Sequence, residues 1–316
     1  MKRVPLWLTI VPLVLGGAVY WQFWSGWRDT LRRDLVVVMP GVPVAIGGFP
    51  YRLEADIASP RYALTGPVRL TATAAQALAN RNPWQRDLTV VRTERPEASV
   101  TVGALPGAVV RATAATSVTS IHFVGSSIAR LSTVATVLHA TTGLFAAPVA
   151  AATFEVHLRE TPARSNEAWS ATPPQQAQVV LRGTGVRFGS GAPLTFDFDA
   201  GITAAARLRD LADWAAAGTV EIHAATLSDA SGEVARLAAS AVVVRGTLRL
   251  TGTITTVCPA AVAAAFAGIA PPPESRRRNP VRLAFAGLPG AFTVAAPAAD
   301  APTAVRAQLP PCPRLS

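Results

Sequence analysis

From Val44 onward the apolar residues of this chain recur at every second position. That period dictates strands, because successive side chains of a strand point to opposite faces. Tyr51, Leu53, Ala55 and Ile57 alternate with Arg52, Glu54 and Asp56, and Phe154, Val156 and Leu158 alternate with Glu155, His157 and Arg159. The pattern returns over residues 194–199, 219–223 and 247–255, and shorter candidate strands lie near 68–73, 88–93, 99–102, 109–113, 118–124 and 179–188. One phase is apolar and the other carries Thr, Arg and acid, as in an antiparallel sheet with one solvated face. The reading is a mainly β ectodomain of about a dozen strands, arranged as an open curved sheet or a sandwich.

Three short helices are expected to interrupt it. One spans Ala74 to Asn80 and is stopped by Asn82-Pro83. Another spans Thr203 to Ala217, with Thr203 as cap, Leu208, Leu211 and Trp214 on one face and Gly218 as the stop. The last runs from Cys258-Pro259 to Ala267, with proline at the first helical position and Gly268 just beyond.

Half of the 316 residues are apolar and 15% are charged, which excludes a disordered chain. The net charge of +10 is almost all arginine, since Lys2 is the only lysine. Two cysteines, Cys258 and Cys312, exclude a disulfide-dense miniature domain and every multi-cysteine metal pattern.

After Met1-Lys2-Arg3 the chain is uncharged from Val4 to Trp24, long enough for the roughly 30 Å of a bilayer core. Tyr20, Trp21, Phe23, Trp24 and Trp27 form an aromatic belt at its outer end. These features predict one N-terminal transmembrane helix, with the positive end inside and the bulk of the chain in the periplasm. The competing reading is a cleaved signal peptide with small residues at Gly16-Gly17-Ala18. Residues 27–35 either continue as a helix whose Arg28, Arg32 and Arg33 meet lipid phosphates, or form a solvated turn; Pro40, Gly41 and Pro43 end any helix. In an oxidising compartment an even cysteine count favours a Cys258–Cys312 disulfide, tying the tail to the last helix.

The segments expected are an anchor at 1–27, a first β-rich half at 28–160, a linker or long loop at 161–178, a second β-rich half at 179–294, and a Pro/Ala-rich tail at 295–316 with little fixed structure. No repeat of solenoid or propeller type stands out.

Chemistry is sparse. His122, His139, His157 and His223 lack ligand partners at metal spacing, and His157 and His223 lie on the polar phase of their strands. Asp197 and Asp199 share a strand face, which reads as a solvated surface. Gly183-Thr184-Gly185 and Gly189-Ser190-Gly191 lack a following helix and a phosphate-loop lysine, so bulges or turns explain them. Gly125-Ser126-Ser127 is no nucleophile elbow. Arg276-Arg277-Arg278, behind an anchor, reads as a solvated loop or a contact with anionic lipid. No catalytic residue, cofactor, metal or nucleic-acid partner is expected.

Gly48-Phe49-Pro50-Tyr51-Arg52, preceded by the Val4–Trp24 stretch and followed by Pro83-Trp84 and the alternating region from Trp214 to Leu250, resembles a bacterial envelope family known as domain of unknown function 2125. The resemblance implies an inner-membrane-anchored, periplasm-facing β-rich protein and supplies no activity. Two functions are then expected. Either an apolar groove of Phe196, Phe198, Val220, Ile222, Leu248, Leu250 and Ile254 carries lipid in envelope maintenance, or a closed sandwich binds envelope partners as a tethered scaffold.

Overall fold

The computed structural model describes residues 7–66, 68–103, 109–124, 127–143, 147–160, 175–203, 218–244, 247–267, 269–288, 291–294 and 309–315. Helix α1 (Trp7–Val38) runs past the aromatic belt and stops just before Pro40 and Gly41. The strands follow as β1 (Val44–Gly47), β2 (Leu53–Ala58), β3 (Arg61–Leu64), β4 (Val68–Thr73), β5 (Gln76–Asn82), β6 (Gln85–Glu94), β7 (Glu97–Val102), β8 (Val109–Thr113) and β9 (Thr116–Val124). Then come β10 (Ser127–Thr142), β11 (Val149–Glu160), β12 (Gln175–Phe188), β13 (Leu194–Thr203), β14 (Thr219–Asp229), β15 (Gly232–Val244) and β16 (Thr247–Thr256). Helix α2 (Pro259–Ala267), β17 (Val281–Leu288) and β18 (Ala291–Val294) complete the order.

All of these strands belong to one antiparallel sheet. Its main ladder runs β1, β2, β5, β6, β9 and then β10 through β18 in sequence. A side branch of β3, β4, β7 and β8 joins the far end of β10. Strands touch chiefly their ladder neighbours, so the sheet is open and not folded into a sandwich.

The branch exists because several strands break at the same level. The breaks after β2, β4, β6 and β8 fall side by side, linked by Ser59 N–H to Ala75 O (3.0 Å), Ala75 N–H to Glu94 O (2.9 Å), Arg95 N–H to Ala115 O (2.9 Å) and Ala115 N–H to Thr136 O (3.0 Å). The crease continues through Val137, where the ladder of β10 with β11 lacks one pair without changing register, and through Gly185, where the register of β12 with β13 shifts. Ser59, Arg95, Val137 and Gly185 all have positive φ (48°, 47°, 52° and 62°), one on every second strand crossing the crease. Each turns its strand through the left-handed region, and at Gly185 an extra residue makes a bulge as well. Past the bend the branch curls over, and Val102 at the tip of β7 packs on the cluster of Ala241 and Leu248.

The chain has two main cores, one near each end of the main ladder. Trp24 and Leu31 of α1 cover Leu53, Ala55 and Ile57 of β2 and Ala77 and Ala79 of β5. Ala261 and Val262 of α2 cover Val234, Ile254, Leu283 and Phe285, with Phe266 packed on Phe285 and Phe292.

Several expectations change. The helix read at 74–80 is instead mostly strand β5, because Ala77 is held between Ile57 and Thr93 and Ala79 between Ala55 and Val91, and a ladder on both sides outweighs alanine's helix preference. The sequence reading does not contain strands β3, β10, β15, β17 and β18. The helix read at 203–217 falls beyond Thr203 on residues outside those described. Strand β12 begins at Gln175, within the expected linker, and pairs along β11, so one sheet runs through both halves. The tail is also partly fixed: Cys312 is bonded to Cys258 with Cα atoms 5.8 Å apart, and Leu315 is buried in the α2 core.

Candidate functional site

Residues directly opposite in a ladder share a face, so the register defines what each face presents. Val91, Thr119, Thr133, Val156, Leu181, Phe198, Ala225, Leu237, Ile254 and Leu283 stand in one row from β6 to β17. The next row on that face runs through Ile121, Leu131, Leu158, Val179, Ala200 and Ile222. Its hydroxyls satisfy one another, Thr119 with Thr133 (3.0 Å) and Thr93 with Ser117 (2.6 Å). The opposite face presents Arg92, Glu155, Arg182, Asp197, Arg236 and Arg282 in a single row.

The helices cover this apolar face only at its ends. Between them Ile121, Leu131, Val156, Leu158, Val179, Leu181 and Phe198 are half-buried and belong to neither helix-covered core. They floor an apolar trough between the two helix-covered cores.

All seven groove residues named from the sequence lie on this face, but most sit under its covered end. Ile254 and Leu248 are buried, Phe196, Ile222 and Leu250 pack against the α2 core, and Val220 packs with Leu248. Phe198 alone lies in the open part. The open residues on β9 to β12 include Ile121 and Leu131, whose phase was visible at 118–124 for the first and lost in the unforeseen β10 for the second.

The other residues singled out lie on the charged face. His157 bonds Ser132 and Glu155 (both 3.0 Å), His122 pairs with Asp87 (2.8 Å), and Asp199 accepts from Gln178 (2.9 Å). Asp197 lies 3.8 Å from Arg182. Gly183–Gly185 is a bulge, as expected, and Gly189–Gly191 is the turn into β13. Arg276 departs from the solvated reading. It is 7% exposed and paired with Asp229, because the bridge between Ser275 and Pro311 draws it under the tail.

A second feature lies at the α1 end. Tyr20 Oη donates to Pro50 O, and Trp24 Nε1 donates to Arg52 O (3.3 Å). The Phe49 ring lies 4.8 Å from Trp21 and 5.4 Å from Trp24, while Trp84 stacks on Tyr20 (5.8 Å) and meets Trp27 edge-on (6.0 Å). Arg28 and Arg86 lie over Trp24 and Trp27 at 5.8 and 6.0 Å. Two segments distant in sequence thus close an aromatic collar around the belt of α1. Gly48 permits the turn: its φ is +95°, and a Cβ there would stand 2.6 Å from Arg52 O. The collar is wet, with Tyr51 80% and Trp84 70% exposed. Beyond it the apolar side chains of α1 from Ile10 to Val19 are exposed, and no described residue covers them. Among the described residues no helix is long and apolar enough to cross a membrane.

Fold and site together define an open antiparallel β-trough, collared by aromatic residues at one end. Residues 42–257, more than half the chain, match the family domain of unknown function 2125, described as an uncharacterised protein conserved in bacteria, and the chain belongs to that family. No curated protein and no solved structure matches it.

Proposed function

We propose that this protein is a non-enzymatic, membrane-anchored trough of the bacterial envelope that holds lipid acyl chains on its inner face and carries them in envelope maintenance. The observation that supports this most is the apolar face left open between two covered ends. Soluble proteins rarely leave so long an apolar strip uncovered unless something docks there. An acyl chain suits a surface of branched aliphatic side chains whose few hydroxyls are already paired. A tethered scaffold built on a closed sandwich would bury this face against a second sheet, and the open sheet favours the lipid reading.

Sequence and collar support the anchor. The uncharged run begins at Val4, ahead of the described helix, and reaches Trp24, a length suited to a bilayer core of about 30 Å. Lys2 and Arg3 precede it and the aromatic collar follows, an order that supports an orientation with the sheet on the periplasmic side of the inner membrane.

The test is lipid content, measured by mass spectrometry on the full chain purified from bacterial membranes in mild detergent. The wild type retains phospholipid through purification. The variant V156S/L181S, which places no charge in the ladder, keeps a cooperative melting transition because both positions lie outside the helix-covered cores, and it carries far less. A lipid-free wild type, or a variant with undiminished lipid, contradicts the proposal.

A further inference from the structure

Beneath the collar, on the charged face, lies a cleft of about 430 Å³ whose walls include Tyr51, Arg52, Asn80, Arg81, Gln85 and Arg92. We propose that it recognises the phosphate of an anionic lipid headgroup, a proposal that rests on the lipid reading above and specifies which lipid is taken.

Two guanidinium-bearing residues of this face, Arg52 and Arg92, line the cleft, and no carboxylate is among its lining residues. Their existing partners leave donors to spare. Arg52 pairs with Glu54 at 3.0 Å yet keeps 66% of its side chain exposed. Arg81, at the rim, turns its guanidinium to the α1 face, where it meets Thr89 at 2.9 Å and Asp34 at 3.5 Å, and is not among the cleft's donors. Arg92 has no ion pair among the described residues. Planar guanidinium forks suit a phosphate, which accepts two parallel hydrogen bonds from one arginine. A second demand comes from Asn80, whose Oδ1 is buried and has no hydrogen-bond partner among the described residues. Buried acceptors are normally satisfied, and a glycerol hydroxyl beside the phosphate supplies the donor. Leu88 and Val90 give the cleft an apolar wall.

Position favours a lipid source over free phosphate. Tyr51 and Arg52 come just after Phe49-Pro50, and Gln85 follows Trp84, so the collar and the cleft are built from the same two segments. Rings that sit at headgroup depth place the cleft within reach of lipid phosphates.

The probe is glycerophosphoglycerol, a headgroup without acyl chains, titrated calorimetrically into the full chain in detergent beside inorganic phosphate. Glycerophosphoglycerol binds, inorganic phosphate binds at least about tenfold more weakly, and R52A/R92A weakens the headgroup about tenfold while R182A, elsewhere on the same face, does not. Equal or tighter binding of inorganic phosphate overturns the headgroup assignment. So does an R52A/R92A variant that binds as well as the wild type. Should that double variant fail to show the wild-type melting transition, R92Q, at an exposed unpaired position, takes its place with a loss of about threefold expected and no loss overturning the proposal. Because the probe has no chains, its failure leaves the trough untouched, and a trough without lipid leaves this measurement valid.

Discussion

Tyr20 and Trp84 stack with ring centroids 5.8 Å apart, joining the helix ahead of the sheet to the turn between β5 and β6. The same tyrosine bonds the Pro50 carbonyl, so one side chain ties α1 to both collar segments. The collar therefore sets the angle between an uncovered apolar helix and the trough.

Gly48→Ala tests that junction. With φ at +95° and Arg52 O in the way, alanine must shift the loop that receives the Trp24 indole hydrogen bond. The expected cost is about 1–3 kcal/mol, read from denaturant unfolding followed by tryptophan fluorescence. An unchanged midpoint would mean the loop does not constrain the helix.

Val137→Gly should act in the other direction. A β-branched residue at φ 52° is costly, and glycine adopts that conformation freely. Relief of about 1 kcal/mol is expected, less the entropy glycine adds to the unfolded chain, so the variant is equal to or more stable than wild type. A clear loss in thermal midpoint would show that Val137 is held by packing instead of tolerated at the crease.

The Cys258–Cys312 bond fastens the last described residues over the α2 core. Replacing both cysteines by serine removes a cross-link worth about 4 kcal/mol by loop-closure arithmetic. The end-cap around Arg276 and Leu315 should then open first, seen as faster amide exchange in β17 than in β6. Alkylation of both thiols in unfolded, exported protein without reductant would rule the bridge out.

Stability and lipid content should separate along one face. Leu283, 1% exposed beneath α2, loses about 2–5 kcal/mol on truncation to alanine. Val156→Ser, in the open trough, changes the melting temperature little but lowers retained lipid. If Val156→Ser unfolds the protein as Leu283→Ala does, the trough is a covered core.

Alternation made the sheet legible because burial on one face enforces it, as at Phe154–Arg159 and Leu248–Ile254. It failed where alanine and threonine fill both phases. In Ser127–Thr142 neither phase is distinctly apolar, so the sequence concealed the longest strand. Ala74 to Asn80 reads as helix in sequence because the pairing of this stretch with β2 and β6 is a tertiary fact. The crease left a faint trace, since the run Ala-Thr-Ala-Ala stands at 72–75 and again at 112–115, the two places where β4 and β8 break. The collar was visible only as separate motifs, because no local rule brings Phe49 and Trp84 to the same turn of α1. Which apolar residues are covered depends on where two helices land, and that placed the open trough on β9 to β13 and not on the later strands.

The alternation itself offers the most direct test of lipid on the inner face. A photo-reactive amino acid placed singly at Val156 and Leu158, and at Glu155, His157 and Arg159, reports on both faces of one strand in living cells. The account predicts lipid adducts from the first two positions and none from the other three. Adducts from both sets, or from neither while the protein is folded, would contradict it.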